Sequence, residues 1–227
     1  MRFLPKLLSV ALATGMSVTT LSTTATAAPA SPASGAAAPA ALASGTTTHG
    51  TTARAALTRT AASVTPPLRV TSAHGTFSAY APDVQAVTYR PDLVAAGARA
   101  RVAALSADRV GTTTVLVISG LLPQHEYGAH AHVNSCGATG DAAGSHFQHV
   151  PDPVKPSVDP AYANPRNEIW LDFTTDRFGI GHATSTVDWT FGGQRAKSVV
   201  IHETHTHTGP GHAGTAGGRL ACLNVGF

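Results

Sequence analysis

Beyond residue 66, apolar and polar residues fall in short runs that read as strands. Ala100–Leu105 and Thr113–Ser119 are bounded by Gly and Asp, and the second is rich in β-branched residues. Similar runs lie at Leu68–Thr71, Thr76–Tyr80, Ala86–Tyr89, Ile169–Thr174, His182–Trp189, Ser198–His202 and Leu220–Gly226. Turn residues separate them, at Asp108, Gly111, Gly120, Asp176, Gly179 and Gly192-Gly193. This pattern predicts an all-β sandwich or barrel, and no helical period of useful length interrupts it. Two segments break the rhythm, between His132 and Ile169 and between His202 and Arg219. Both are long and rich in Gly, Pro, Asp, Asn and His, and loops of that kind commonly carry function.

The first 66 residues follow a different logic. Arg2 and Lys6 precede a short apolar run, Leu7–Met16, and Ala25-Thr26-Ala27 offers a small-x-small cleavage site. Residues 1–27 therefore read as a signal peptide. The alternative is an uncleaved anchor, but the run is shorter than the roughly 20 apolar residues a span needs. Residues 28–66 are almost entirely Ala, Thr, Ser, Pro and Gly, and read as a disordered linker with little to bury. Residues 67–227 form the expected domain, long enough for one core. The expected location is outside the cytoplasm, secreted or in the cell envelope.

Charge and cysteine content narrow the function. The chain has 15 Lys+Arg and 12 Asp+Glu, but four of the cations precede residue 67 and all the acids follow it. The domain thus carries 11 cations against 12 acids, a net charge of −1. That balance argues against a nucleic-acid or acidic-lipid binder. No later segment is apolar enough to span a membrane. Cys136 and Cys222 are the only cysteines. In an exported protein the pair favours a disulfide closing a loop of about 87 residues, against the alternative of two buried thiols.

Histidine supplies the candidate chemistry. His130 and His132, in GAHAHVNSCG, would share one face of a strand, with Cα atoms roughly 6.5–7 Å apart and imidazoles able to meet on one ion. His146 follows in AGSHFQH, and His202 ends the apolar strand of SVVIHETH. GGRLACLNVGF closes the chain with Arg219 and Cys222. Four histidines without thiolate or carboxylate suit copper, and also zinc or nickel.

Taken in order, these segments resemble the Cu/Zn superoxide dismutase family over about residues 85–227. The family pattern is Gly-x-His-x-His, a Cys, Ala-Gly-x-His-Phe, a late apolar strand ending in His-Glu, and a terminal Gly-x-Arg-x-x-Cys. The resemblance implies a Greek-key β-barrel or sandwich with two long functional loops. It implies that His130, His132, His146 and His202 hold copper, that Arg219 stands beside the copper as the catalytic arginine, and that Cys136 and Cys222 form a disulfide. The implied substrate is the superoxide anion, and the implied chemistry is a metal alternating between two oxidation states. Zinc cannot do this. A guanidinium that keeps its proton is a suitable docking group for a small anion.

The chain departs from the family in two places. His146 would bridge copper to zinc, but Val154 stands at the first further zinc ligand. RNEIWL at residues 166–171 puts Asn167 at the second and Trp170 at the third. The expectation is a copper-only form resembling secreted bacterial-type members, with zinc left to a rearranged weak site at His149, Asp152 and Asp159. Without zinc, the outer nitrogen of His146 would turn to water or a carboxylate. The loop THTHTGPGHAGTAG at 204–217 contains no Asp, Glu, Lys or Arg, and carries His205, His207 and His212 instead. Those three read as a flexible rim, with a second weak metal site as the alternative.

Remaining features take structural readings: Trp170 and Trp189 as packing residues, His74, His125 and His182 as ordinary strand or turn residues, and Lys155, Arg166, Arg195 and Lys197 as scattered surface charge. The expected activity is copper-dependent dismutation of superoxide to dioxygen and hydrogen peroxide. The alternative is an extracytoplasmic copper-binding or copper-buffering protein without significant turnover. Monomer and homodimer both stay open.

Overall fold

A computed structural model describes residues 67–227. The signal peptide and linker expected over 1–66 lie outside the described residues. The predicted alternation is plainest in β3 (Val94–Ala107) and β7 (Ile180–Val187). Their side chains alternate between core and solvent, as in a sheet with one wet face. These pair with β1 (Arg69–Thr76) and β4 (Gly111–Leu121) in a sheet of order β1-β3-β4-β7.

The second sheet, of order β2-β9-β8-β5-β6, is built from β2 (Ala86–Thr88), β9 (Arg219–Asn224), β8 (Ser198–His202), β5 (Glu126–His132) and β6 (Phe173–Thr174). Strand β8 is buried along its whole length, and β5 and β9 along nearly all of theirs. The inner face of this sheet meets the core, and the two long loops cover its outer face. All strand pairings are antiparallel. The sheets stack as a sandwich and do not close into a barrel, so the sandwich alternative is the one observed.

Leu116, Ile118, Ala129, Ile201 and Leu223 fill the space between the sheets. Phe147, Trp189, Phe191 and Phe227 close one end in a chain of aromatic contacts, so Trp189 is the expected packing residue. Among the described residues the one helical element is a 3-10 turn, Gly140–Ala143. No helix there is long and apolar enough to cross a membrane.

Beyond shifts of a few residues at strand ends, the structure differs from the pattern-based reading in three places. Thr76–Tyr80 is not a separate strand: β1 runs to Thr76, and Ser78 makes only an isolated bridge to Val87. Ile169–Thr174 reduces to Phe173–Thr174, with Trp170 bridging His130. Strand β5 does not read as an apolar run because Gly128, His130 and His132 alternate with its core-facing Tyr127, Ala129 and Ala131.

Candidate metal centre

The outer face of the second sheet assembles the centre. Gly128, His130 and His132 alternate outward from β5, while Ala129 and Ala131 point into the core. Register then sets the neighbours: Gly128 pairs with His202 on β8, and His202 pairs with Arg219 on β9. One row across three strands thus brings a ligand and the guanidinium together. A side chain at Gly128 would collide with the late loop, since a Cβ there would stand 2.9 Å from Ala216 Cβ.

His146 arrives from the first long loop, which folds back along β5. Phe147 N–H donates to Ala131 O (2.8 Å) and Val133 N–H to Ser145 O (3.1 Å), placing His146 opposite His132 in an isolated bridge.

The four predicted imidazoles converge, each offering one ligand nitrogen, and these atoms lie within 4.8 Å of one another. For His130, His132 and His146 the other bonds of the ring show which nitrogen that is. His132 Nδ1–H donates to Gly144 O (3.0 Å), and His146 Nδ1–H donates to Glu168 Oε2 (2.8 Å). Both rings therefore turn an Nε2 lone pair inward. His130 Nε2 lies 2.7 Å from Thr206 Oγ1, and its Nδ1 is buried with no hydrogen-bond partner. His132 Nε2 and His202 Nε2 approach to 3.3 Å.

Converging lone pairs and two orphaned buried nitrogens, His130 Nδ1 and His202 Nδ1, are a poor arrangement for a protein alone. They are what a metal ion requires, so the residues present fit one. Burial first, and then the neighbouring imidazoles led by His146, hold His130 and His132 well below the ordinary histidine range. Burial, His146 and Arg219 bring His202 down to about 3. All three are neutral at ordinary pH, the form that ligates.

On the far side of His146 the outer nitrogen turns to a carboxylate. Glu168, 1% exposed, accepts three N–H bonds: His146 Nδ1 (2.8 Å) and Trp170 Nε1 (2.7 Å) on Oε2, and Gln148 Nε2 (2.8 Å) on Oε1. The outer nitrogen of His146 is thus committed to a carboxylate, and His146 belongs to a carboxylate–histidine pair facing the four-histidine group. Trp170 is therefore not simple packing. It holds Glu168 and meets the His130 ring edge-on with centroids 5.8 Å apart.

His149, Asp152 and Asp159 do not come together. His149 stacks on Trp189 at 4.9 Å. Asp152 is buried and accepts from Val154 N and Ser157 Oγ, while Asp159 caps Ala161 N. Each of the three has its own local contacts, and among the described residues the four histidines are the only metal-competent group. His205, His207 and His212 form no such group either. His205 Nε2 bonds to Phe173 O (3.1 Å), and the other two are exposed.

Cys136 and Cys222 are disulfide-bonded, tying the loop after β5 to β9. The tether brings the 3-10 turn under Arg219, whose Nη1 donates to Gly140 O (2.9 Å) and whose Nε lies 3.9 Å from Asp141 Oδ1. Residue 140 must be glycine for this approach, because a Cβ would stand 2.7 Å from Arg219 Cβ. Arg219, His146 and His202 line a cavity of about 500 Å³ that opens to solvent. Lys155, expected as scattered surface charge, stands on the same cavity and bonds to Gln148 Oε1 (3.3 Å). His125 is an ordinary residue packed on Tyr127 (4.6 Å).

Glu168, Gln148, Asp172 and Thr206 were not singled out in the sequence. Only Glu168 left a signal: an acid in an otherwise apolar stretch before Ile169 and Leu171, where a buried carboxylate must have partners.

No family model matches the chain, and no curated protein matches it. Matching solved structures include those of two mutants of a SOD-like protein from Bacillus subtilis. The singly substituted form is 15% identical, with 55% of this chain and 88% of that chain covered and a TM-score of 0.44. The doubly substituted form is 14% identical, with 55% and 86% covered and a TM-score of 0.42.

Proposed function

We propose that this chain is a copper-dependent superoxide dismutase working outside the cytoplasm, exported by residues 1–27 and carrying residues 28–66 as a linker before the domain. The observation that carries the reading is one arrangement: four convergent imidazoles, and beside them a guanidinium on an open cavity. His130 Nδ1 and the Nε2 atoms of His132, His146 and His202 would hold copper. Copper, when bound, supplies the alternation between two oxidation states that dismutation needs.

The chain's own residues account for the rest. Two superoxide anions and two protons become dioxygen and hydrogen peroxide, so the site must admit an anion and keep its ligands unprotonated. Arg219 presents a charge that cannot be lost, and β9 and the disulfide-tethered turn fix its place. Lys155 adds a second cation at the mouth. Glu168 and the Gly144 carbonyl hold the outward protons of His146 and His132, so that both rings face inward by Nε2. Because Glu168 fills the far side of His146, the reading needs copper alone.

The alternative, a copper-buffering protein, gives no role to the cavity or to Arg219, since storage needs no docking cation. The test is copper loading in zinc-free buffer, followed by pulse radiolysis. A rate approaching about 10⁸–10⁹ M⁻¹s⁻¹ is expected. A stable four-nitrogen copper spectrum with turnover no better than free copper–histidine complexes would establish the buffering reading instead.

A further inference from the structure

The late loop bonds to a ring of the metal centre through the Thr206 hydroxyl. Thr206 Oγ1 lies 2.7 Å from His130 Nε2 and 2.7 Å from Asp172 Oδ1, and Thr206 N–H donates to Asp172 Oδ2 at 2.7 Å. Asp172 precedes β6 and also accepts from Ala129 N in β5 (3.3 Å), so its carboxylate is anchored on the strand that carries His130. Its oxygen stands 3.9 Å from His130 Nε2, too far to bond directly, and the threonine hydroxyl fills that gap.

The chain of donors has one direction. An ionised carboxylate can only accept, so the Thr206 hydroxyl proton goes to Asp172. The hydroxyl oxygen is then left to accept, and the His130 Nε2–H is the donor beside it. His130 is thereby held as the tautomer whose bare nitrogen is Nδ1, and Nδ1 is the atom left buried without a partner.

The loop is also internally laddered. Glu203 N bonds Gly218 O (3.0 Å), Thr204 N bonds Ala216 O (3.0 Å), His207 N bonds Thr215 O (2.8 Å) and Gly214 N bonds His207 O (2.9 Å). Moving Thr206 therefore moves the cavity wall formed by Gly214, Thr215 and Ala216.

We propose that Thr206 is a positioning residue that locks the His130 tautomer through Asp172, and that the same bonds hold the 203–218 loop against the centre. Ligand orientation and closure of the loop are then one coupled event, although the loop has no charged side chain between residues 204 and 217. This rests on the metal-centre part of the proposed function and is independent of turnover.

The test compares Thr206→Val and Thr206→Ser with the wild type in the purified exported protein. Nitrogen-15 NMR of the metal-free protein reads the His130 tautomer. The Nε2–H form is expected in the wild type and Thr206→Ser, and a mixed or reversed tautomer in Thr206→Val. Copper(II) affinity, read by chelator competition, is expected to fall about 10–100-fold in Thr206→Val and to stay within about threefold in Thr206→Ser. Hydrogen exchange of residues 203–218 should rise only in the valine variant. An unchanged tautomer together with unchanged copper affinity in Thr206→Val overturns the proposal. If that variant loses its cooperative melt, Asp172→Asn is measured in the same way, and an unchanged tautomer there overturns it equally. A wild type that binds no copper(II) sinks the metal reading, while the metal-free tautomer still decides the role of Thr206.

Discussion

Glu168 offers the sharpest test of how the centre is supported. It is buried, and its two oxygens take three N–H donors at 2.7–2.8 Å. In Glu168→Gln one of those oxygens becomes an amide NH₂. If the amide oxygen takes the Oε2 position, the NH₂ faces Gln148 Nε2; reversed, it faces His146 and Trp170. Either way at least one buried donor meets another donor. Losing a charge-assisted bond and stranding its partner costs about 2–4 kcal/mol. For a domain of this size, that lowers the melting temperature by roughly 4–16 °C. His146 loses its orientation as well, so copper(II) affinity should fall about 10–100-fold. Glu168→Ala should cost still more, about 3–5 kcal/mol, because it strands three donors and opens a void. Thermal and urea unfolding of the metal-free proteins read the first effect, and chelator competition reads the second. If Glu168→Gln unfolds within about 0.5 kcal/mol of the wild type and binds copper equally well, the buried carboxylate does not support the centre.

Three further outcomes follow from the same geometry. His202 is held at about 3 in the fold and titrates at about 6.5 when unfolded, so its stabilisation is complete above about pH 6.5 and is lost as pH falls towards 3. His130 and His132 shift in the same direction, so metal-free stability should fall by at least ~1.4 kcal/mol per pH unit between pH 6 and 4; a flat urea midpoint over that range would refute it. Replacing Cys136 with Ser should cost about 2–5 kcal/mol and broaden the Arg219 side-chain NMR signal, because the turn under the guanidinium is released. Arg219→Ala should keep copper affinity but lower the dismutation rate about tenfold or more and flatten its ionic-strength dependence, measured by pulse radiolysis across a salt series.

Much of the fold and of the candidate site was legible in order along the chain. The alternation in β3 and β7 marks a half-wet sheet, and the spacing His130-x-His132 marks two rings on one face, because strand period is a local property. The unusual residue types were visible too: a single pair of cysteines, four histidines in or beside the strands and long loops, and an arginine three residues before the last cysteine. Where the family resemblance implies zinc ligands, the chain carries Val154, Asn167 and Trp170.

What the sequence could not decide are relations between residues that sit far apart in the chain. Whether the sheets close is set by their edges, and the two sheets remain a sandwich. Strand register, not proximity in sequence, places Arg219 beside His202. Glu168, Gln148 and Trp170 carry no shared motif, and only folding brings their donors and acceptors within 3 Å. Thr206 and Asp172 lie 34 residues apart and meet because the late loop closes over β5. The residues expected to hold a second metal were separated for the same reason: His149 found an aromatic face, and the carboxylates of Asp152 and Asp159 found nearby N–H groups. Composition and local spacing determined which donors this protein has. The tertiary structure decided which of them face a common point, because ligation and hydrogen bonding depend on ångström-scale distances that strand register and loop packing set.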